Sequence, residues 1–192
     1  MTVGEPEEGW RVVLDANILL QAPMRDTLLR LAEEEVIAVF WSDVILAEVE
    51  RNFAKVSGID GAQRRFTHLL AALRRSFPRA SIDEARLAML DLPIAAHDRH
   101  VLACALVAPA EIIVTYNTRH FPPHLLAPYE KRAWHPDELL RATLEHRPDT
   151  MRAVLTAQGL EMSPPRTLTQ VVERLARDVP HFAVLARARF GH

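Results

Sequence analysis

Three short runs of mostly apolar residues occur along the chain, separated by longer stretches with apolar residues at helical spacing. The runs cover residues 11–14, 36–41 and 111–115. They predict strands, because short apolar runs rich in β-branched residues are typical of strands buried on both faces. Apolar residues three and four positions apart predict helices between them. These predicted helices cover 17–35, 43–56, 62–77, 82–90 and 98–108.

Turn and cap residues bound several of these helices. Pro23 can divide the first helix into two pieces. Ser42 or Asp43 is a candidate N-cap for the helix after the second strand. Gly58 and Gly61 predict the turn before helix 62–77. Strands that alternate with helices in this way indicate an α/β fold with a parallel sheet.

The pattern changes after residue 123. Residues 131–134 predict a last edge strand, and residues 135–138 begin a helix well, with Pro136 near the first helical position and acids in the first turn. From about residue 148 onward the pattern is wholly helical. The predicted helices there cover 149–158, 167–178 and 180–189. We therefore expect an α/β domain with a small C-terminal helical extension.

The composition of the 192 residues is ordinary for a globular protein with one sizeable domain. No apolar run approaches the ~20 residues that cross a membrane, and the acidic N-terminus shows no signal peptide. The single cysteine, Cys104, excludes an intrachain disulfide and lies in an apolar helical stretch, which favours a buried thiol. These features predict a cytoplasmic protein without contact to a membrane.

Basic side chains are concentrated in residues 51–79, where Asp60 is the only acid. The net charge of −2 argues against bulk, non-specific binding of nucleic acid, so the local distribution matters more than the total. Arginine favours bidentate contacts with phosphate. The candidate phosphate contacts are Arg51, Arg64, Arg75 and Arg79. A solvated face of an amphipathic helix, or a bias in genomic base composition, would give the same pattern.

Three acids and an amide occupy related positions in the predicted sheet. Asp15 and Asn117 each follow a strand, Glu48 lies in the helix after the second strand, and Asp98 begins the helix before the third. Ligands of open α/β sheets bind at the carboxyl ends of the strands. Clustered carboxylates there select Mg²⁺ or Mn²⁺, which can activate water for attack on a phosphodiester. Alternatively, Asp15 and Asp98 are helix N-caps and Glu48 is a solvated helix acid.

Four short segments carry a family resemblance. They are Leu14-Asp15-x-Asn17, Ile45 to Asn52 (Ile-Leu-Ala-Glu-Val-Glu-Arg-Asn), Asp98 to Ala103 (Asp-Arg-His-Val-Leu-Ala) and Val114 to Asn117 (Val-Thr-Tyr-Asn). Each motif is weak, but the four in this order are fairly specific. The chain resembles PIN-domain proteins, and among them the VapC-type toxins of bacterial toxin–antitoxin pairs. The resemblance covers about residues 10–135, and residues 136–192 resemble the C-terminal extension of one subgroup.

The resemblance implies a three-layer α/β/α nuclease domain over residues 10–135 and an endoribonuclease that depends on Mg²⁺ or Mn²⁺. Its acidic cluster corresponds to Asp15, Glu48 and Asp98 as metal ligands, with Asn117 at a fourth catalytic position that is often Asp. The supporting residues are Asn17 and Thr115, which would hold Asp15 and the attacking water by hydrogen bonds, and His120. The implied partners are an RNA substrate and a neutralising antitoxin. We expect the C-terminal helices to support either a homodimer or the docking of that antitoxin.

Two positions depart from the family pattern. Asn117 and His120 stand where members of the subgroup often carry Asp, and both are weaker Mg²⁺ ligands than a carboxylate. His120 is a Mn²⁺ ligand, a proton donor to the leaving oxygen or, as we favour, a surface residue near the site. We interpret His97 and His100 as packed or exposed histidines at a helix end. Glu50 is interpreted as a solvated acid or a partner of Arg51.

Two other functions compete with the nuclease interpretation. The departures at Asn117 and His120 favour a PIN-fold module that binds RNA or protein with little catalysis. An unrelated α/β enzyme is the third interpretation, but the chain has no GxGxxG, Walker-type or GxSxG motif, so nucleotide-cofactor and serine-hydrolase chemistry lack their usual residues.

Overall fold

A computed structural model describes residues 9–57, 61–83 and 92–191 of the chain. Five parallel strands form one sheet in the order β3-β2-β1-β4-β5. The strands are β1 (Trp10–Leu14), β2 (Ile37–Ser42), β3 (Ser81–Ile82), β4 (Ile112–Val114) and β5 (Arg132–Trp134). The predicted α/β fold with a parallel sheet is therefore confirmed.

The helices follow the strands as the pattern predicts. Within the described residues, the α-helices before β5 are α1 (Ala16–Leu20), α2 (Ala22–Glu33), α3 (Asp43–Ser57), α4 (Ala62–Ser76), α5 (Arg99–Val107) and α6 (Pro123–Leu126). Those after β5 are α7 (Pro136–His146), α8 (Pro148–Glu161), α9 (Leu168–Leu175) and α10 (Pro180–Phe190). Short 3₁₀ turns cover Thr118–His120 and Ala127–Tyr129.

The central strand β1 is buried on both faces. Val12, Val13 and Leu14 are each fully buried, although successive side chains of a strand point to opposite faces of the sheet. Val12 is in register with Val39 of β2 on one side and Ile112 of β4 on the other. Helix α5 packs across β1, β2 and β4, and α2 packs on β2. Helices therefore cover both faces, which confirms the predicted three-layer arrangement.

In residues 17–36 the predicted division of the first helix is confirmed, and the start of the second strand differs by one residue. The predicted helix divides at Gln21 into α1 and α2, with Pro23 in the first turn of α2. Proline is accepted there because a first-turn N–H has no partner within the helix. The turn at Glu35 has a positive φ of 57°, after which β2 begins at Ile37.

The predicted helix from Ile82 was wrong at its start. Ser81 and Ile82 form the edge strand β3, in register with Trp41 and Ser42 of β2. A two-residue strand is too short to produce an apolar run, so the pattern did not distinguish it from the start of a helix. The rest of that predicted helix, and Gly58 in the predicted turn, lie outside the described residues.

The C-terminal helices pack against the α/β part of the chain. Helix α8 lies on α2, and α10 lies on α7 and α9. The buried amide of Gln158 joins α8 to α2: it donates to the carbonyl of Pro23 (3.0 Å) and accepts from the hydroxyl of Thr27 (2.8 Å). The boundary between residues 135 and 136 stays a prediction. Within the described residues, no helix is long and apolar enough to span a membrane.

Candidate active site

Asp15 lies where β1 ends and α1 begins, at the carboxyl edge of the sheet. It occupies the N-cap position of α1, but its side chain makes no capping hydrogen bond. Oδ2 of Asp15 instead accepts hydrogen bonds from Oγ1 of Thr115 (2.6 Å) and Nδ2 of Asn17 (2.7 Å). The N-cap interpretation of this side chain is therefore wrong, and the carboxylate is held by Asn17 of α1 and by Thr115, which directly follows β4.

Thr115 and Asn17 form a small polar network around Asp15. Nδ2 of Asn17 also donates to Oγ1 of Thr115 (2.9 Å), which accepts a further hydrogen bond from the backbone N–H of Asn117 (3.0 Å). Burial raises the pKa of Asp15, and the hydrogen bond from Thr115 offsets only part of that effect. A carboxylate desolvated in this way is a favourable place for a cation.

Glu48 reaches the same region from α3 and has a histidine partner. Nε2 of His100, on α5, lies 3.1 Å from Oε2 of Glu48. The hydrogen bond with His100 lowers the pKa of Glu48, so the carboxylate stays ionised. His100 is buried, in agreement with the prediction of a packed histidine, and Glu48 is not simply a solvated acid. Glu50 points elsewhere, is exposed and accepts a hydrogen bond from Gln63.

Asp98 precedes α5 and lies between two histidines. It occupies the N-cap position of α5 without a capping hydrogen bond from its side chain, so this N-cap interpretation is also wrong. Its Oδ2 lies 3.0 Å from Nε2 of His97 and 3.3 Å from Nδ1 of His120. Apart from the proximity of His97 to Asp98 along the chain, these contacts had no sequence signal, because His120 comes from the turn after β4.

One open cavity of about 350 Å³ connects these groups. Its polar lining consists of Asp15, Asn17, Glu48, Arg51, His97, Asp98, His100, Asn117 and His120. Three carboxylates around one cavity are a donor set that fits a hard divalent cation such as Mg²⁺ or Mn²⁺. A larger groove of about 620 Å³, lined by Phe40, Phe77 and Pro109 among others, is apolar and presents no such cluster.

The predicted arginine contacts separate into two groups. Arg51 lines the cavity, whereas Arg64, Arg75 and Arg79 are exposed on and just after α4 and do not line it. Arg74, on the same helix, lies 3.8 Å from Asp43 at the start of α3. Of the four predicted arginines, Arg51 alone lines the cavity, and the other three are exposed on or just after α4.

Comparison with known proteins places this geometry in a family. A family model described as the PIN domain matches residues 11–119, more than half of the chain. The match includes Asp15, Glu48, Asp98 and Asn117. The chain belongs to the PIN domain family.

A curated relative narrows the comparison. The chain is 40% identical over 94 residues to a Mycobacterium tuberculosis (strain ATCC 25618 / H37Rv) protein named "Putative ribonuclease VapC50". The match covers 48% of this chain and 56% of the relative, so the chain spans little more than half the length of that protein. No solved structure matches the chain.

Proposed function

We propose that the chain is an endoribonuclease that depends on Mg²⁺ or Mn²⁺ and acts as the toxin of a toxin–antitoxin pair. The observation that carries the proposal is the convergence of Asp15, Glu48 and Asp98, from three separate elements, on one open cavity. Membership of the PIN domain family and the similarity to a relative named as a ribonuclease support it.

In the proposed reaction, water adds to the phosphorus of an RNA phosphodiester and the bond to the 3′ oxygen breaks. The products are a 5′-phosphate and a 3′-hydroxyl. Asp15, Glu48 and Asp98 would hold the divalent ion. That ion, when bound, lowers the pKa of water and offsets the negative charge that develops on the phosphate. Thr115 and Asn17 keep the Asp15 carboxylate in one orientation through their hydrogen bonds.

Other cavity residues have positioning roles in this proposal. His100 holds Glu48 in its ionised form. The guanidinium of Arg51 is placed to contact a phosphate of the substrate, for which its planar donor set is suited. Asn117 is exposed at the edge of the cavity, where its amide would donate to a phosphate oxygen.

The first experiment treats total bacterial RNA with the purified full chain and either Mg²⁺ or Mn²⁺. We expect discrete fragments with 5′-phosphate ends, and no fragments when EDTA is present. Asp15→Asn, Glu48→Gln and Asp98→Asn should each reduce cleavage by at least ~100-fold, since each removes one negative charge from the cluster. Sequencing the fragment ends would name the RNA target.

Glu50→Gln is the matched control, because Glu50 lies on the same helix as Glu48 but is exposed. It should cleave like the wild type. Cleavage that persists in EDTA and in all three variants would contradict the proposal and indicate a contaminating nuclease. Absence of cleavage by the wild type with both metals would favour the second candidate function.

That second candidate is a PIN-fold module that binds RNA or protein with little catalysis. This function is favoured by the amide of Asn117 and the imidazole of His120, which stand at positions where the family pattern often has an acid. His120→Asp would separate the two functions. A gain of cleavage in this variant of an otherwise silent chain would show that the lost carboxylate limits activity.

We also propose an antitoxin partner and a homodimer. The acidic cavity is open, and an arginine side chain of an antitoxin would complement its three carboxylates. Leu160 on α8 and Leu185 on α10 are exposed apolar side chains that would suit a contact with a second chain. Light scattering of the purified chain, alone and with the protein encoded beside it, tests both partners.

A further inference from the structure

Two imidazoles and one carboxylate converge beside the acidic cluster. His97 and Asp98 precede α5, and His120 ends the 3₁₀ turn that follows β4. One ligand atom of each of the three side chains lies within 4.8 Å of the other two. The rings of His97 and His120 meet edge to face, with centroids 5.6 Å apart.

Two of the three distances within this cluster, those from Asp98 to each imidazole, suit ligands of one ion. Oδ2 of Asp98 lies 3.0 Å from one ring nitrogen and 3.3 Å from the other. Ligand atoms that are each ~2.0–2.2 Å from a common metal ion lie about 3.0–3.5 Å from one another. The three side chains therefore need little rearrangement to bind one ion together.

The hydrogen bonding of Asp98 is incomplete. Its Oδ2 is buried and makes no well-aligned hydrogen bond within the described ranges, although two ring nitrogens are close to it. The other oxygen, Oδ1, reaches Nδ1 of His120 only at 3.4 Å. Buried carboxylate oxygens are costly when unsatisfied, and a cation between the three groups would satisfy this one.

We infer that His97, Asp98 and His120 bind a divalent transition-metal ion, in preference to Mg²⁺. Imidazole nitrogens suit Zn²⁺, Co²⁺ and, more weakly, Mn²⁺, whereas Mg²⁺ prefers oxygen ligands throughout. The side chain of His97 is 71% exposed, which leaves the outer side of the site open to water or a phosphate. Three protein ligands with an open position are typical of catalytic rather than structural zinc sites.

This inference deepens the proposed nuclease function, and the role of the ion in cleavage rests on that function. The site would lie next to Asp15 and Glu48, within the cavity that receives the phosphate. It takes the metal-ligand alternative for His120 over the favoured one of a surface residue, and it adds His97 as a second ligand. Affinity should follow the order Mg²⁺ < Mn²⁺ < Co²⁺ < Zn²⁺.

The test is a titration of the untagged, chelator-treated full chain with Co²⁺, followed by visible absorption and by calorimetry. We expect one tightly bound Co²⁺ per chain, distinct from weaker binding at Asp15 and Glu48, with the visible bands of nitrogen and oxygen coordination and displacement by Zn²⁺. His97→Ala and His120→Ala should each weaken binding by at least ~10-fold. His120→Asp should weaken Co²⁺ binding and strengthen Mg²⁺ binding, since it exchanges a nitrogen ligand for an oxygen one.

His124→Ala is the matched control, because His124 is exposed on α6 and is not part of the cluster. It should bind Co²⁺ like the wild type, and circular dichroism would show that every variant is folded. Binding that is absent, or that is unchanged in both His97→Ala and His120→Ala, would overturn the inference and leave only close contacts between Asp98 and the two histidines.

The two proposals fail in different ways. If Co²⁺ binds through His97 and His120 but no metal supports RNA cleavage, the site stands and the nuclease function fails. In the opposite case, cleavage with Mg²⁺ needs Asp15 and Glu48 but is unchanged in His97→Ala and His120→Ala, and Co²⁺ binding is also unchanged in both variants. The nuclease function then stands and this inference fails.

Discussion

Thr115 is the single residue on which most of the polar network around Asp15 depends. Its hydroxyl donates to Asp15 and accepts from Asn17 and from the backbone of Asn117, and it is completely buried. Removing the hydroxyl while keeping the shape of the side chain would leave the Asp15 carboxylate with one fewer donor. Buried polar groups without partners are costly, so the network would rearrange rather than simply lose one bond.

We therefore expect Thr115→Val to reduce metal-dependent RNA cleavage by about 10-fold or more, while Thr115→Ser retains most of it. The measurement is the initial rate of cleavage at saturating metal. Thr67→Val is the control, because Thr67 is exposed on α4 and its hydroxyl bonds only a helix carbonyl. Equal rates for Thr115→Val and wild type would show that the hydroxyl does not position Asp15.

Cys104 gives a second prediction for a single residue. The thiol is buried in α5, and burial raises its pKa to about 12, although a hydrogen bond with Ser42 acts in the opposite direction. Because the thiolate is the nucleophile, the native chain should not react with a disulfide reagent at pH 8, whereas the unfolded chain should react fully. Rapid stoichiometric labelling of native protein would contradict this.

The raised pKa of Cys104 also links stability to pH. The unfolded thiol ionises near pH ~8.5 and the folded thiol near pH 12. The contribution of the protonated thiol is therefore complete below pH ~8.5 and is lost as the pH rises toward 12. We expect the free energy of unfolding to fall over this alkaline range, and to fall less in Cys104→Ala.

Among the elements, the junction of α7 with α10 depends on one acid. Asp137 is buried in the first turn of α7, where its Oδ1 accepts from the backbone N–H of Phe182 (2.9 Å) at the start of α10. Its Oδ2 lies 3.1 Å from Arg141 and 3.2 Å from His181. A carboxylate at a helix N-terminus is favourable both as a hydrogen-bond acceptor and through the helix dipole.

Asp137→Ala should lower the free energy of unfolding by about 1–3 kcal/mol, since it leaves the N–H of Phe182 buried without a partner. Asp149→Ala is the control: Asp149 is in the first turn of α8 but exposed, and its loss should cost about 0.5 kcal/mol or less. Urea denaturation of the full chain measures both. A similar small effect for the two variants would mean that α10 is held mainly by its apolar contacts.

The agreement between prediction and structure differs from element to element. Strands β1, β2 and β4 were predictable because their residues are buried on both faces, which leaves a continuous apolar run in the sequence. The start of α3 was predictable from the candidate cap Ser42, which is present, and the start of α7 from Pro136 and the acids of its first turn. Strand β3 was not, since its two residues are defined by pairing with β2 and not by any local pattern.

For the candidate site, the edge of the sheet was predictable and the histidine contacts were not. Parallel strands end at one edge, so Asp15 and Asn117 were expected to lie near each other. The partnership of His100 with Glu48 and of His120 with Asp98 depends on how α3, α5 and the turn after β4 pack together. Residue type alone could not assign those pairs.

At the scale of the whole molecule, charge is distributed unevenly. The net charge is −2, yet α4 and the residues after it carry exposed arginines that do not line the acidic cavity. An RNA strand would be repelled by the cavity in the absence of metal, so initial attraction must come from elsewhere on the surface. Arg64, Arg75 and Arg79 are the predicted source.

Replacing all three of these arginines by alanine should weaken the binding of a labelled single-stranded RNA to the metal-free chain. The affinity of this variant should also depend less on the salt concentration. Each phosphate contact on a single strand contributes about −0.7 to the slope of log affinity against log salt, so three lost contacts should reduce the slope by about 2. Fluorescence anisotropy over a range of salt concentrations measures it.

The control replaces three other exposed arginines, Arg166, Arg174 and Arg189, which lie on the C-terminal helices or between them. It changes the net charge by the same amount. If RNA binds along the surface of α4, only the first variant should show a smaller slope of log affinity against log salt. Counterions are released where side chains contact phosphates, so the slope depends on those contacts and not on the total charge. Equal losses in both variants would mean that attraction is set by the overall charge, and α4 would then be an ordinary solvated helix face.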